Sequence, residues 1–173
     1  PSFAGLLPEG RRLTALRRAI KTSADDELSL LIAVGSDTIG DVQVMPAGEP
    51  PIPAPALLQI PANLADFSFQ EALERAEIID RVGLPGVQEK VSGRMINVPA
   101  SQTGTSVIVK LAPPEFPFVI ENEAFFLGLA KAAGLKTVSW HVLEDGRGVK
   151  ALAVERFDRA GRGHAVTRLA FED

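Results

Sequence analysis

Residues 81–110 carry the reading on which the rest depends: R-V-G-L-P-G-V-Q-E-K from 81 to 90, a polar insert after Val91, and T-S-V-I-V-K from 105 to 110. The first part is a Gly/Pro turn that holds polar residues between apolar ones. The last part is rich in β-branched residues and brings one charge, Lys110, to its end. Glycine lets a backbone approach a ligand closely, and successive N–H groups in such a loop can cradle phosphate oxygens. A lysine on the next strand then supplies the positive charge that a triphosphate needs, in a geometry unlike that of a Walker A loop. The plainer alternative stands beside it. Gly83 and Gly86 also serve as ordinary turn residues, and Lys110 as a strand-end lysine that snorkels.

The chain of 173 residues is long enough for one domain or two small ones with a real core. Its composition, 46% hydrophobic and 23% charged, is that of an ordinary globular protein. A net charge of −4 gives no overall basic field to recruit nucleic acid. The absence of cysteine removes disulfides and thiolate metal sites and fits a cytoplasmic protein. No apolar run approaches the ~20 residues that cross a bilayer, so no membrane association is expected. The first residue is Pro1 rather than methionine, and the last residues, R-L-A-F-E-D, hold no stop signal. Both ends read as cut.

Residues 2–22 place Phe3, Leu6, Leu7, Leu13, Leu16 and Ile20 at roughly helical spacing, broken at Pro8, Glu9 and Gly10. Arg11, Arg12, Arg17 and Arg18 form a basic cluster, either a solvated face or a contact for an acidic partner. Ser23 with Asp26 resembles a capping box for a short helix with Leu28, Leu30, Leu31 and Val34 on its apolar side, and Gly35 closes it. A short strand is expected at 41–45. Six prolines within 46–61 predict a linker without regular structure and a boundary between units 1–61 and 62–173.

Ser68 and Glu71 form a second capping box, opening a helix to about Glu77. Strands are expected near 91–98 and 105–111. A helix should run from about Ile120 to Ala133, stopping at Gly134 with Leu135 in a hydrophobic C-cap contact, and with Ala124, Phe125, Leu127 and Leu129 among its apolar residues. Glu121, Asn122 and Glu123 crowd its first turn, where negative charge suits the helix dipole. Strands at 138–143 and 149–154 flank the hairpin signal E-D-G-R-G. The economical arrangement is an α+β fold, an antiparallel sheet with a packed helix, preceded by a mainly helical N-terminal part.

This order of elements, with these residues, resembles the small lobe of the HipA family of bacterial toxin kinases. The matching pieces are G-L-L-P-E-G at 5–10, L-L-I-A-V-G-S-D-T-I-G-D-V at 30–42, L-P-G-V-Q-E-K at 84–90 and V-I-V-K at 107–110. E-N-E at 121–123, L-A-K-A-A-G-L at 129–135 and A-L-A-V-E-R-F-D-R at 151–159 complete a collinear set over nearly the whole chain. The resemblance implies a protein-kinase-like small lobe in a serine/threonine kinase that uses ATP and Mg²⁺ and is the toxin of a toxin–antitoxin pair linked to persistence. Its implied partner is a HipB-like helix-turn-helix antitoxin, through which alone DNA is met; the implied substrate is a protein such as an aminoacyl-tRNA synthetase. Position by position, it makes Pro85, Gly86, Val87, Gln88, Glu89 and Lys90 the phosphate-covering loop and Lys110 the nucleotide-phosphate lysine. It makes Glu155, Arg156 and Phe157 the adenine hinge, puts Asp158 near the ribose, and leaves Glu121 or Glu123 to orient Lys110.

Three departures qualify the transfer. The family's catalytic aspartate, in a D-G-H-x-K-N-like segment, and its Mg²⁺-holding aspartate have no counterpart here and are expected beyond Asp173. Gly83 stands where the best-known member has its inhibitory phosphoserine, and Ser92 is no obvious substitute. The small sub-domain that precedes G-L-L-P-E-G is missing. The 173 residues therefore read as part of a longer kinase, inactive alone, with a non-catalytic module that grips a helix-turn-helix antitoxin through residues 1–60 as the alternative. His141 and His164 lack ligand spacing, which sets metal hydrolysis aside. Trp140 reads as core rather than a base-stacking platform. Glu121 and Glu123, two apart at a helix start, point different ways and do not suit glycoside hydrolysis.

Overall fold

The alternation at 105–111 is the centre of the fold. In the computed structural model, which describes residues 3–7, 10–23, 25–51, 56–75, 95–112, 116–161 and 166–170, these residues form strand β3 (Thr105–Leu111). Val107, Val109 and Leu111 are buried on one face, which leaves Ile108 and Lys110 on the other. Strand β2 (Ile96–Gln102) pairs with β3 antiparallel through the tight turn at Thr103 and Gly104, both at positive φ (48° and 82°). That is the geometry a two-residue hairpin needs to match strand twist. Of the expected strand at 91–98, residues 96–98 lie in β2, which runs on to the turn, and 91–94 lie outside the described residues.

On the other side of β3 lies β5 (Lys150–Glu155), paired antiparallel with Lys110 opposite Leu152. Strand β4 (Trp140–Glu144) is the far edge. The near edge is β1 (Leu58–Ile60), parallel to β2, so the sheet order is β1-β2-β3-β5-β4. Strand β1 corrects the expectation of an irregular stretch to residue 61. Leu58 and Ile60 are buried around an exposed Gln59, a period-two pattern that outweighs the proline content once the last of the clustered prolines is passed. The boundary expected at 61 falls one residue beyond this strand. The strand expected at 41–45 does not form. Val44 donates its N–H to Gly35 O at 3.0 Å instead, and a Cβ on Gly35 would overlap the Val44 carbonyl.

Helix α1 (Gly10–Ile20) precedes α2 (Glu27–Val34). The cap of α2 is Asp26, whose carboxylate accepts from Ser29 N–H and the Thr22 hydroxyl, rather than Ser23. Asp at the N-cap accepts as well as Ser does, and Asp26 directly adjoins the helix. Gly35 follows α2, as expected, but in right-handed conformation. Helix α3 (Phe69–Arg75) opens on the expected cap, Ser68 Oγ accepting from Glu71 N–H at 3.3 Å; its expected extension to Glu77 lies outside the described residues.

Helix α3 packs on the face of Val107 and Val109, with Phe69 and Leu73 joining Leu58, Ile60, Val98 and Leu143 in the main core. Asp145, in the β4–β5 turn, pins it there by accepting from the N–H groups of Phe69, Arg147 and Val149, each at 2.9 Å. Burial pushes the Asp145 carboxyl up, but these three amides outweigh it and hold the group below its usual range.

Helix α4 (Val119–Ala132) covers the opposite face with a narrow stripe, Ile120, Ala124 and Leu127, against Leu152, Trp140 and Val154. Phe125 and Leu129, expected on its apolar side, are more than half exposed, because spacings of four and three residues from Ile120 already fill the contact. The helix ends as expected on Gly134 (φ 79°), with Leu135 N–H bonded to Ala130 O and Gly134 N–H to Lys131 O. Leu135 itself stays mostly exposed. A small ribbon, β6 (Arg159–Ala160) with β7 (Thr167–Arg168), follows β5.

Candidate functional site

Lys110 projects from β3 toward α4, and there it meets Glu123 in an ion pair, both side chains 24% exposed. Glu123 lies three residues after the buried Ile120, on the edge of the helix stripe that faces the sheet. Glu121 lies one residue after Ile120, about 100° around the helix. It reaches Lys150 at 3.1 Å instead, and its own N–H together with Lys150 holds its carboxyl below the usual range. Of the two carboxylates that the sequence left open, the one brought to Lys110 is Glu123.

Glu155 closes β5 at the level of Val107, three residues along the sheet from the level of Lys110. At about 3.4 Å per residue this separates Lys110 from the 155–157 segment by about 10 Å. The segment is firmly held. Glu155 N–H donates to Ser139 O at 2.9 Å and Arg156 N–H to Ser106 O at 3.0 Å. Phe157 is 55% exposed.

Two of the expected site side chains are turned inward. Asp158, expected near the ribose, is 3% exposed and accepts from Gly40 N–H, from Arg156 Nε and Nη2, and from Arg159 Nη1, at 2.7 to 2.9 Å. Both of its oxygens are consumed. Arg156 directs its guanidinium to Asp158 and Asp37, and Arg159 also spans the two aspartates. Arg168 donates to the carbonyls of Ser36, Thr38 and Gly40. Burial pushes the Asp158 carboxyl up, yet the hydrogen bonds and charges of the arginines, with Gly40 N–H, hold it below its usual range. Burial and the neighbouring Arg159 lower Arg168.

Asp37 and Arg159 entered the sequence reading only within stretches that match the family, with no role of their own, and Arg168 not at all. Nothing local pointed from R-F-D-R to G-S-D-T some 120 residues upstream. Pro85, Gly86, Val87, Gln88, Glu89 and Lys90, the expected phosphate loop, lie outside the described residues, as do Gly83, Ser92 and His164. His141 is exposed and bonded to Gln102 at 2.9 Å. Trp140 is partly buried against the α4 cluster, in keeping with its reading as core. Among the described residues no group of three or more His, Asp or Glu could hold a metal ion, and no helix is long and apolar enough to cross a membrane. A groove of about 250 Å³ between Gln102, Thr105, Val107, His141 and Glu155 opens on the sheet face opposite Lys110.

Residues 82–173, more than half of the chain, match the HipA-like C-terminal domain, and residues 1–45 match the HipA N-terminal domain. The Sinorhizobium fredii protein named "Putative kinase Y4mE" is 33% identical over 172 residues, covering 92% of this chain and 41% of that protein. The serine/threonine-protein kinase toxin HipA of Shewanella oneidensis is 30% identical over 172 residues, covering 91% of this chain and 37% of that protein. A HipA chain solved in complex with HipB and operator DNA, from Shewanella oneidensis MR-1, superposes with a TM-score of 0.71 at 25% identity, over 94% of this chain and 40% of that one. The chain thus spans about two fifths of the length of these relatives. The lysine–glutamate pair between strand and helix sits in a protein-kinase-like fold, and the chain belongs to the HipA family.

Proposed function

We propose that residues 62–173, with strand β1 completing their sheet, form the ATP-binding lobe of a HipA-type serine/threonine kinase, and that the full-length protein is the toxin of a toxin–antitoxin pair. The observation that carries this reading is the Lys110–Glu123 ion pair between β3 and α4. A kinase uses such a pair to hold its lysine against the nucleotide phosphates. ATP supplies the transferable phosphoryl group. Lys110 neutralises its phosphates, Glu123 fixes the lysine, and Pro85, Gly86, Val87, Gln88, Glu89 and Lys90 cover them. The separation of about 10 Å along the sheet suits a base held at 155–157 with phosphates at Lys110. The N–H groups of Glu155 and Arg156 are already engaged, so other groups of that segment meet the adenine. Glu121 serves the helix end rather than the nucleotide, and Asp158 braces the hinge instead of holding ribose. The catalytic aspartate and the Mg²⁺ ligands belong to sequence outside this chain.

A HipB-like helix-turn-helix antitoxin is the proposed partner, with DNA met only through it. Support comes from the HipA–HipB–operator complex on which this chain superposes. A protein hydroxyl, for instance on an aminoacyl-tRNA synthetase, is the proposed acceptor. In the full-length protein, Lys110→Ala should lower ATP-dependent phosphorylation by about a hundredfold or more and abolish growth inhibition. A fully active, toxic variant overturns the reading.

A second reading has one observation of its own. Thr14, Arg17, Arg18, Lys21 and Thr22 line a basic groove of about 410 Å³ on α1, and Arg17 Nε is buried there without a hydrogen-bond partner. A non-catalytic module that grips an acidic face of an antitoxin would use such a surface. Equal retention of a helix-turn-helix partner by the wild type and an Arg17→Ala, Arg18→Ala double variant excludes this surface.

A further inference from the structure

Past β5 the chain leaves the sheet, and the last ladder bond is that of Arg156 N–H to Ser106 O. From there the backbone is held by the β6–β7 pairing, by Leu169 N–H on the Asp158 carbonyl, and by side chains. Arg156, Asp158 and Arg159 are all turned into one cluster whose other wall is the 36–42 loop, including the carbonyls of Ser36, Thr38 and Gly40. The cluster holds three arginines and two aspartates. Asp37 alone of its carboxylates lies against all three arginines: 3.0 Å from Arg156, 2.9 Å from Arg159 and 3.9 Å from Arg168. Asp37 falls in the part that matches the HipA N-terminal domain, the arginines in the part that matches the C-terminal domain.

We infer that Asp37 is a positioning residue for the nucleotide hinge, acting through Arg156 and Arg159 to fix where residues 155–157 meet the base. The inference rests on the nucleotide-binding reading of that segment. Its physical basis is charge. With Asp37 neutralised, three guanidinium groups share one carboxylate in a largely buried space, and separation of the arginines is the available relief. Arg156 and Arg159 flank Phe157 and Asp158 and are both tied to Asp158, so their separation pulls on the backbone there. The 36–42 loop and the hinge therefore move as one body, and whatever displaces that loop alters base binding.

The test uses the full-length protein with ATP and inorganic tripolyphosphate as probes, each titrated by calorimetry against wild type and Asp37→Asn. The variant keeps the shape of the side chain and removes its charge. A displaced hinge should weaken ATP binding by about tenfold to a hundredfold, while tripolyphosphate, which touches no hinge, should change by less than about twofold. Unchanged ATP affinity overturns the inference, as does an equal loss for both probes, which marks general destabilisation. Should Asp37→Asn not fold, Arg168→Lys, which loses the fork onto the carbonyls of the 36–42 loop, is read by the same two criteria. Wild-type protein that binds neither probe overturns the nucleotide reading itself. Wild-type binding with an unaffected Asp37→Asn overturns only the inference.

Discussion

Two ionic sites stand on this fold, and they are built in opposite ways. The Lys110–Glu123 pair is a single contact between a strand and a helix, with each side chain about a quarter exposed. Water remains close enough to take over either charge, and another anion can exchange for the carboxylate. The Arg156, Arg159, Asp37 and Asp158 cluster has side chains 4 to 22% exposed and a nearly complete set of hydrogen bonds. Its charges have nowhere else to go. The first arrangement suits a group that must meet a ligand, the second a group that must not move.

The comparison breaks first at the cluster. Arg156→Ala leaves Asp37 and Asp158 short of their partner in a buried space and should destabilise the protein by about 3–5 kcal/mol, read by urea unfolding. A loss below about 1 kcal/mol would show that the cluster is as exchangeable as the Lys110 pair. The loop that presents Asp37 gives the next effect. Gly35→Ala forces a Cβ into the Val44 carbonyl, and repacking should cost about 1–3 kcal/mol.

Acid sharpens the contrast further. Asp158 and Asp145 both have carboxyls held below their ordinary value in the folded protein. Their contribution is complete above about pH 4, near the unfolded carboxylate pKa, and is lost as pH falls through the lower folded values. Asp158→Asn should therefore flatten the acid limb of a stability profile, and an unchanged limb argues against the cluster. The smallest changes in stability belong to the other site. Lys110→Ala should alter stability by less than about 1 kcal/mol while removing phosphorylation in the full-length protein, and Glu121→Gln by about 0.5 kcal/mol or less while leaving phosphorylation intact. A thermal melt and a phosphorylation assay on each variant separate the two kinds of effect.

Much of the sheet was legible because its signal is local. Val107, Val109 and Leu111 alternate with a charge, E-D-G-R-G marks a turn, and Gly134 ends a helix that a run of apolar residues had announced. Strand β1 was missed because three residues carry too little period-two pattern to stand out beside so many prolines. At α4 the apolar content was visible, but which third of it would be buried depended on how the helix lies on the sheet. The site divided along the same line. Lys110 showed itself as the one charge at the end of a β-branched strand, and the choice of Glu123 over Glu121 followed only once Ile120 was known to face inward. The arginine cluster joins residues about 120 positions apart, and no spacing rule reaches that far.

Asp145 has a consequence for the order in which this chain acquires its form. At its first residue helix α3 donates an amide hydrogen bond to a carboxylate 76 positions later, in a turn that exists only when β4 and β5 have met. The seven described residues of α3 would not persist as a helix in water on their own. A chain emerging from the ribosome would make this helix early and secure it late, after the hairpin closes. Asp145→Ala should accordingly slow folding as well as speed unfolding if the hairpin forms in the transition state, whereas a change confined to unfolding would place that contact after the barrier.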